Sequence, residues 1–238
     1  MATPNKDHHI GSPPTHFRNP WSSFQQYSGL DVLRTRFGSN RNFVPVPEDR
    51  KGLVVVQKPT WGHDHAANGP KLKATWLGHA SWLIEMPSPG SEDEAQSRPG
   101  LTILLDPVFS ERTSPFKWLG PKRYTPLPCA IADLPPVDVV IISHNHYDHL
   151  DYDTIMAVRA KSTHTHFVCP LGNKAWFIGS GIPADRVSEL DWWNSVQVTN
   201  QDGCEVELDA LGLVVDTRGA KRNQGSKLGK VGRDQISW

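Results

Sequence analysis

The chain has 238 residues, a length that fits one domain with or without an extension. Its 25 basic and 25 acidic side chains balance, so it lacks the field that draws nucleic acid, and no nucleic-acid partner is expected. Hydrophobic residues reach only 37%, beside 20 prolines and 19 glycines, so part of the chain is expected to be loop.

Cys129, Cys169 and Cys204 are odd in number and widely spaced. They form neither a disulfide framework nor a Cys-x-x-Cys metal spacing, which points to free thiols in a reducing compartment. The opening MATPNKDHHIGSPP has no apolar segment of the secretory type and is not Arg-rich like a transit peptide. The longest apolar run, Val137 to Ile142, is far too short to cross a bilayer, so a soluble or peripheral protein is expected.

In chain order, residues 1–70 read as an irregular leader, with one short strand at Leu53–Val56. His63 and His65 flank Asp64 in a turn-rich stretch that reads as solvated loop rather than ligand set. Order is expected from Leu72. Leu72–Leu77 and Ser81–Met86 read as strands joined at Gly78-His79-Ala80, followed by a polar loop over 87–100. Leu101–Leu105 is a third strand, ending in Asp106-Pro107. Val108 to Pro136 is a long, proline-studded connection of the kind that is usually functional. Val137–Ile142 is a nearly continuous apolar strand, suited to burial on both faces. Then come a helix over 151–160, a strand at His166–Cys169, a helix from Asn173 to Ile178 and a strand over 187–190. Short strands follow near Val196 and Val206. From 211 a basic, non-periodic tail is expected to be disordered.

The chemistry concentrates in SHNHYDHLD, residues 143–151. Residues i and i+2 of an extended segment point the same way, so His144 and His146 can converge on one metal. Asp148 and His149 follow as the chain turns and can face a second. Imidazoles suit zinc or iron, and the carboxylate suits a harder ion too. Two such ions can clamp a phosphoryl or acyl oxygen.

This loop resembles the His-x-His-x-Asp-His signature of the metallo-β-lactamase superfamily. HFRNPW (16–21), WLGHASW (76–82), LDPVFS (105–110), Ser114-Pro115, LGPKRY (119–124), LPPVD (134–138), PLG (170–172) and ELDWW (189–193) narrow the match. Together they look like the N-acylphosphatidylethanolamine-hydrolysing phospholipase D family, in order from His16 to Trp193. The resemblance implies an α/β fold, an αββα sandwich, here incomplete in its C-terminal half. It implies two zinc ions and cleavage of N-acylphosphatidylethanolamine into phosphatidic acid and an N-acylethanolamine. On the matching positions, His144 and His146 hold one zinc and Asp148 and His149 the other, while Asp148 also orients the attacking water as the catalytic residue. Asp106 is either a partner that supports a ligand histidine or a turn-former before Pro107. His79 is a weaker candidate for the same support, with a turn role favoured. A phospholipid substrate implies peripheral membrane contact, in the cytoplasm or on an intracellular membrane, mitochondria included. Oligomeric state is left open.

The family supplies further ligands downstream that this chain does not match, and its last histidine is His166. The motif-by-motif resemblance stops at Leu208. Asp216 mimics a bridging aspartate but reads as coincidence, and His164 and His166 lie away from the expected ligand position. An apolar sheet face is therefore expected to be left open. Two readings compete with the phospholipase: a truncated non-catalytic relative, and another hydrolase of the fold acting on a lactone or a sugar phosphate.

Overall fold

The computed structural model describes residues 7–12, 14, 16–19, 21–38, 47–49, 54–68, 71–87, 100–210 and the backbone of 214–216. It divides into two units, Met1–Leu53 and Val54–Trp238. In the first, strand β1 (His9–Ile10) pairs antiparallel with β2 (His16–Phe17), and helix α1 spans Gly29–Phe37. The helix is a departure from the irregular leader read from the sequence. Ser28 starts it through a capping box: its hydroxyl accepts from the Asp31 amide while the Asp31 carboxylate accepts from the Ser28 amide.

The second unit is built on a six-stranded sheet. Strands β3 (Lys73–Gly78), β4 (Ser81–Glu85) and β5 (Thr102–Leu105) run antiparallel in succession. Strands β6 (Val139–Ile141), β7 (His166–Pro170) and β8 (Val187–Leu190) then add in parallel, giving the order β3-β4-β5-β6-β7-β8. Helix α2 (Tyr152–Lys161) links β6 to β7, and α3 (Lys174–Gly179) links β7 to β8, because parallel neighbours need a crossover. A second, antiparallel sheet follows: β9 (Ser195–Thr199), β10 (Glu205–Asp209) and β11 (Val214–Asp216). The strands and helices expected between Leu72 and Val206 are thus present. At Leu53–Val56, Leu53 is outside the described residues and Val54–Val56 form no strand. Most of the loop expected over 87–100 and of the tail from 211 is also outside them.

Strand alternation divides the core in two. Leu104, Val140 and Phe167 face the helix side, where they meet Ile155 and Val158 of α2 and Phe177 of α3. Ile103, Val139 and Val168 face the other way, against Val198, Val206 and Leu208 of the second sheet. The central strands are buried on both faces, hence their unbroken apolar runs. The apolar face expected to lie open is closed. Inward valines and Leu208 cover it, while Ser195, Gln197, Thr199 and Glu205 carry the exposed outer positions of the second sheet. The period-2 pattern of β9 and β10 supplies this cover.

Candidate metal centre

Three chain segments end at one place. β5 and β6 are parallel, so their carboxyl ends, Asp106 and Ser143, emerge side by side. In open sheets this edge is where ligands collect. The third segment is the β3–β4 hairpin. Trp82 stands opposite Leu105 in the antiparallel register, which puts the turn at His79 and Ala80 beside Asp106. Ser81 fastens the hairpin there, its hydroxyl donating to the Asp106 carbonyl at 2.7 Å and accepting from the Val108 amide at 3.2 Å.

The Asp106 carboxylate is the hub. It accepts from the Ser143 amide (2.7 Å), the Ser143 hydroxyl (2.7 Å) and His149 Nδ1 (2.9 Å). With Nδ1 occupied by a carboxylate, the His149 tautomer leaves Nε2 as the free donor atom, the usual arrangement behind a coordinating histidine. Asp106 itself sits at φ +38, a left-handed conformation that Asp tolerates better than most residues. Both roles read for it from the sequence, turn-former and partner of a histidine, are held by one residue.

After Ser143 the chain turns sharply: the His146 carbonyl accepts from the amides of His149 (2.9 Å) and Leu150 (2.7 Å). The turn gathers the imidazoles. Ring centroids of His144 lie 4.6 Å from His146 and 3.9 Å from His149. Burial, followed by the neighbouring His149 and His146, holds the His144 imidazole below its ordinary value. That keeps it neutral, the form that donates a lone pair. For Asp148, burial acts upward. It is outweighed by the residue's own backbone amide and by His149 and His79, so the carboxyl lies below its ordinary value and stays ionised at neutral pH.

Asp148 Oδ2 stands 3.8 Å from His149 Nε2 and 3.1 Å from His79 Nε2. His79, Asp148 and His149 each offer one donor atom within 4.8 Å of the others. Among the described residues, no comparable group of three includes His144 or His146. Within the second unit, His63, His164 and His166 meet other partners. His63 Nε2 meets the buried Glu85 carboxylate at 2.8 Å. His166 meets Ser188 Oγ at 2.9 Å, at the opposite end of the parallel strands, and His164 lies 3.7 Å from Asp138.

The donor set fits a cation of the zinc type. Two imidazoles and an ionised carboxylate converge at His79, His149 and Asp148, and one imidazole is fixed from behind by a buried acid. Sequence reasoning had no role for Ser143, which ties Asp106 to the first imidazole through a 2.9 Å contact with His144 Nδ1. A serine ahead of a histidine run carries no signal of its own. The loop after it is anchored by Asp151, whose buried carboxylate accepts from the Ser110 amide (3.0 Å), the Ser110 hydroxyl (2.9 Å) and Thr154 (2.5 Å).

The family profile described as beta-lactamase superfamily domain matches residues 102–231, running on past Leu208 where the resemblance read motif by motif ends. N-acyl-phosphatidylethanolamine-hydrolyzing phospholipase D 1 of Caenorhabditis elegans is 34% identical over 201 residues, 82% of this chain and 51% of that protein. A mitochondrial N-acyl-phosphatidylethanolamine-hydrolyzing phospholipase D of Saccharomyces cerevisiae is 31% identical over 206 residues, 76% of this chain and 43% of its own length. A UPF0173 metal-dependent hydrolase of Anaeromyxobacter sp. (strain K) is 26% identical over 171 residues, 70% of this chain and 52% of that protein. The chain spans about half the length, or less, of these curated relatives.

Proposed function

Because the chain belongs to the metallo-β-lactamase superfamily, we propose that it is a metal-dependent hydrolase of the phospholipase D type. Its substrate is N-acylphosphatidylethanolamine, and its products are phosphatidic acid and an N-acylethanolamine. The observation that carries this reading is the similarity to two phospholipases of that name over three quarters or more of this chain. His144 and His146 would hold one zinc, and Asp148 and His149 the other. Bound zinc supplies a Lewis acid for the phosphoryl oxygens and lowers the pKa of water. Asp148, ionised at neutral pH, would orient the water. Asp106 holds His149 in the tautomer and orientation that this needs.

A lipid substrate requires contact with a membrane surface, and the turn over 114–120 suits it. Ser114 Oγ reaches the carbonyls of Phe116 (2.8 Å) and Leu119 (2.6 Å), and Gly120 at φ +95 closes the turn. Held this way, Phe116, Trp118 and Leu119 remain exposed, Trp118 by 74%. Lys117 ties the turn to α2 through Asp153 at 2.6 Å, and α2 begins directly after the metal loop. A fixed aromatic turn beside a lysine is the kind of surface that settles into headgroups. None of the described helices is long and apolar enough to cross a membrane. Placement on an intracellular membrane is consistent with this, and one relative is named as mitochondrial.

A second reading, a non-catalytic relative that binds metal weakly, is favoured by the absence of a third donor with His144 and His146 among the described residues. Zinc content and product analysis separate the two. The chain, stripped with chelator and refilled, is expected to hold zinc and to release phosphatidic acid from N-acylphosphatidylethanolamine vesicles. Zinc uptake with hydrolysis of a lactone but of neither this lipid nor bis(p-nitrophenyl) phosphate would overturn the phospholipase assignment. No uptake and no hydrolysis would leave the non-catalytic reading.

A further inference from the structure

We propose that His79 is itself a cation ligand, completing with Asp148 and His149 a three-donor site that the β3–β4 hairpin delivers to the metal loop. This rests on the reading that the loop binds zinc. It goes beyond it by adding a donor that lies 69 residues from Asp148 in the chain.

The first ground is donor geometry. Two donors that each stand at zinc–nitrogen or zinc–oxygen distance from one tetrahedral ion are about 3.3–3.5 Å apart. The separations through Asp148 Oδ2, 3.1 Å to His79 Nε2 and 3.8 Å to His149 Nε2, fall either side of that value. A carboxylate and an imidazole in a plain hydrogen bond account for the first distance. They do not account for a second imidazole nitrogen turned towards the same oxygen. Three protein donors with a fourth position left for water or substrate is the pattern of catalytic rather than structural zinc.

The second ground is the turn. His79 adopts φ +49, next to Gly78 at φ +105. A two-residue hairpin turn of this kind is best served by Asn or Gly at the positive-φ position. Trp76 pins the turn, its indole Nε1–H donating to the His79 carbonyl at 2.9 Å. None of this uses the imidazole, whose side chain is 51% exposed and so is not held there by packing. A histidine at this position is explained by what its ring reaches, which is Asp148 and, with ring centroids 5.3 Å apart, His149.

His79→Asn keeps a residue that tolerates positive φ, and His79→Gln keeps a hydrogen-bonding side chain of similar reach. Zinc affinity, measured by competition with a chromophoric chelator, is expected to fall more than about 100-fold in both, beyond the effect of losing an outer hydrogen bond. Cobalt-loaded His79→Asn should also lose the strong visible absorption of a four-coordinate site. An independent measurement on the unaltered chain uses cadmium-113, with scalar coupling to a His79 ring nitrogen expected. Unchanged affinity in His79→Gln, or no coupling to His79 while His149 couples, would overturn the proposal and leave zinc binding by the loop intact. Failure of the unaltered chain to take up any zinc would instead sink the underlying reading.

Discussion

Replacing Asp106 by Asn changes charge and one donor at nearly constant shape, in a site where both carboxylate oxygens accept hydrogen bonds. The carboxylate receives three protein donors, two from Ser143 and one from His149, and its side chain is only 11% exposed. An amide offers one acceptor and must present an N–H2 group at the other position. If the carbonyl stays with the Ser143 amide, the N–H2 faces His149 Nδ1 and forces the ring to accept there. Its proton then moves to Nε2, the atom that faces Asp148. If the amide flips, the Ser143 amide meets a donor instead. Losing one charge-assisted bond of this kind costs about 2 kcal/mol, which lowers the Tm of a chain this size by roughly 4–8 °C. Zinc affinity should fall about 10–100-fold. Thermal melts of the metal-free chain and chelator competition read the two effects separately. Stability loss with zinc affinity within twofold of the unaltered chain would refute the reasoning and reduce Asp106 to a turn-former.

Asp151→Ala should destabilise by about 3 kcal/mol, because it strands the Ser110 amide and two hydroxyls behind the metal loop; urea unfolding measures it, and a change below about 1 kcal/mol contradicts the burial argument. Burial, reinforced by Arg186 and Lys174, holds the His166 imidazole below its ordinary value, so the unfolded chain binds more protons as pH falls through the ordinary imidazole range. The stability that His166 contributes by staying neutral is therefore fully present above the ordinary imidazole pKa of about 6.5 and is lost as pH falls below it. His166→Gln should flatten the fall of Tm between about pH 7 and 5, and an unchanged slope would count against it. Trp118→Ala with Phe116→Ala should weaken sedimentation with phospholipid vesicles at least about tenfold while zinc affinity stays unchanged, since the turn lies outside the donor set. Equal vesicle binding would move the membrane contact elsewhere on the surface.

Much of the second unit was legible in the chain because its signals are local. Leu101–Leu105 and Val137–Ile142 are runs that only a strand buried on both faces can use, and both are strands. The polar–apolar alternation around Val196, Val198, Val206 and Leu208 marked two further strands. It also held the answer to the supposed open face, but which layer those side chains cover is decided by packing. Helix α1 escaped notice because its capping box is written with Asp31 rather than Glu or Gln, and because it opens on Gly29, a poor helix former.

The sequence by itself determined that His144, His146, Asp148 and His149 share one turn, since they lie within six residues and follow a strand. Tertiary structure alone decided who joins them. Asp106 reaches His149 because β5 and β6 run parallel and end together, and His79 reaches Asp148 because Trp82 pairs with Leu105 rather than with a neighbour. A slip of one residue in that pairing would turn every side chain of the hairpin to the opposite face and shift its tip along β5. Register between distant strands is a property of the whole packed sheet, so no local pattern in the chain records it.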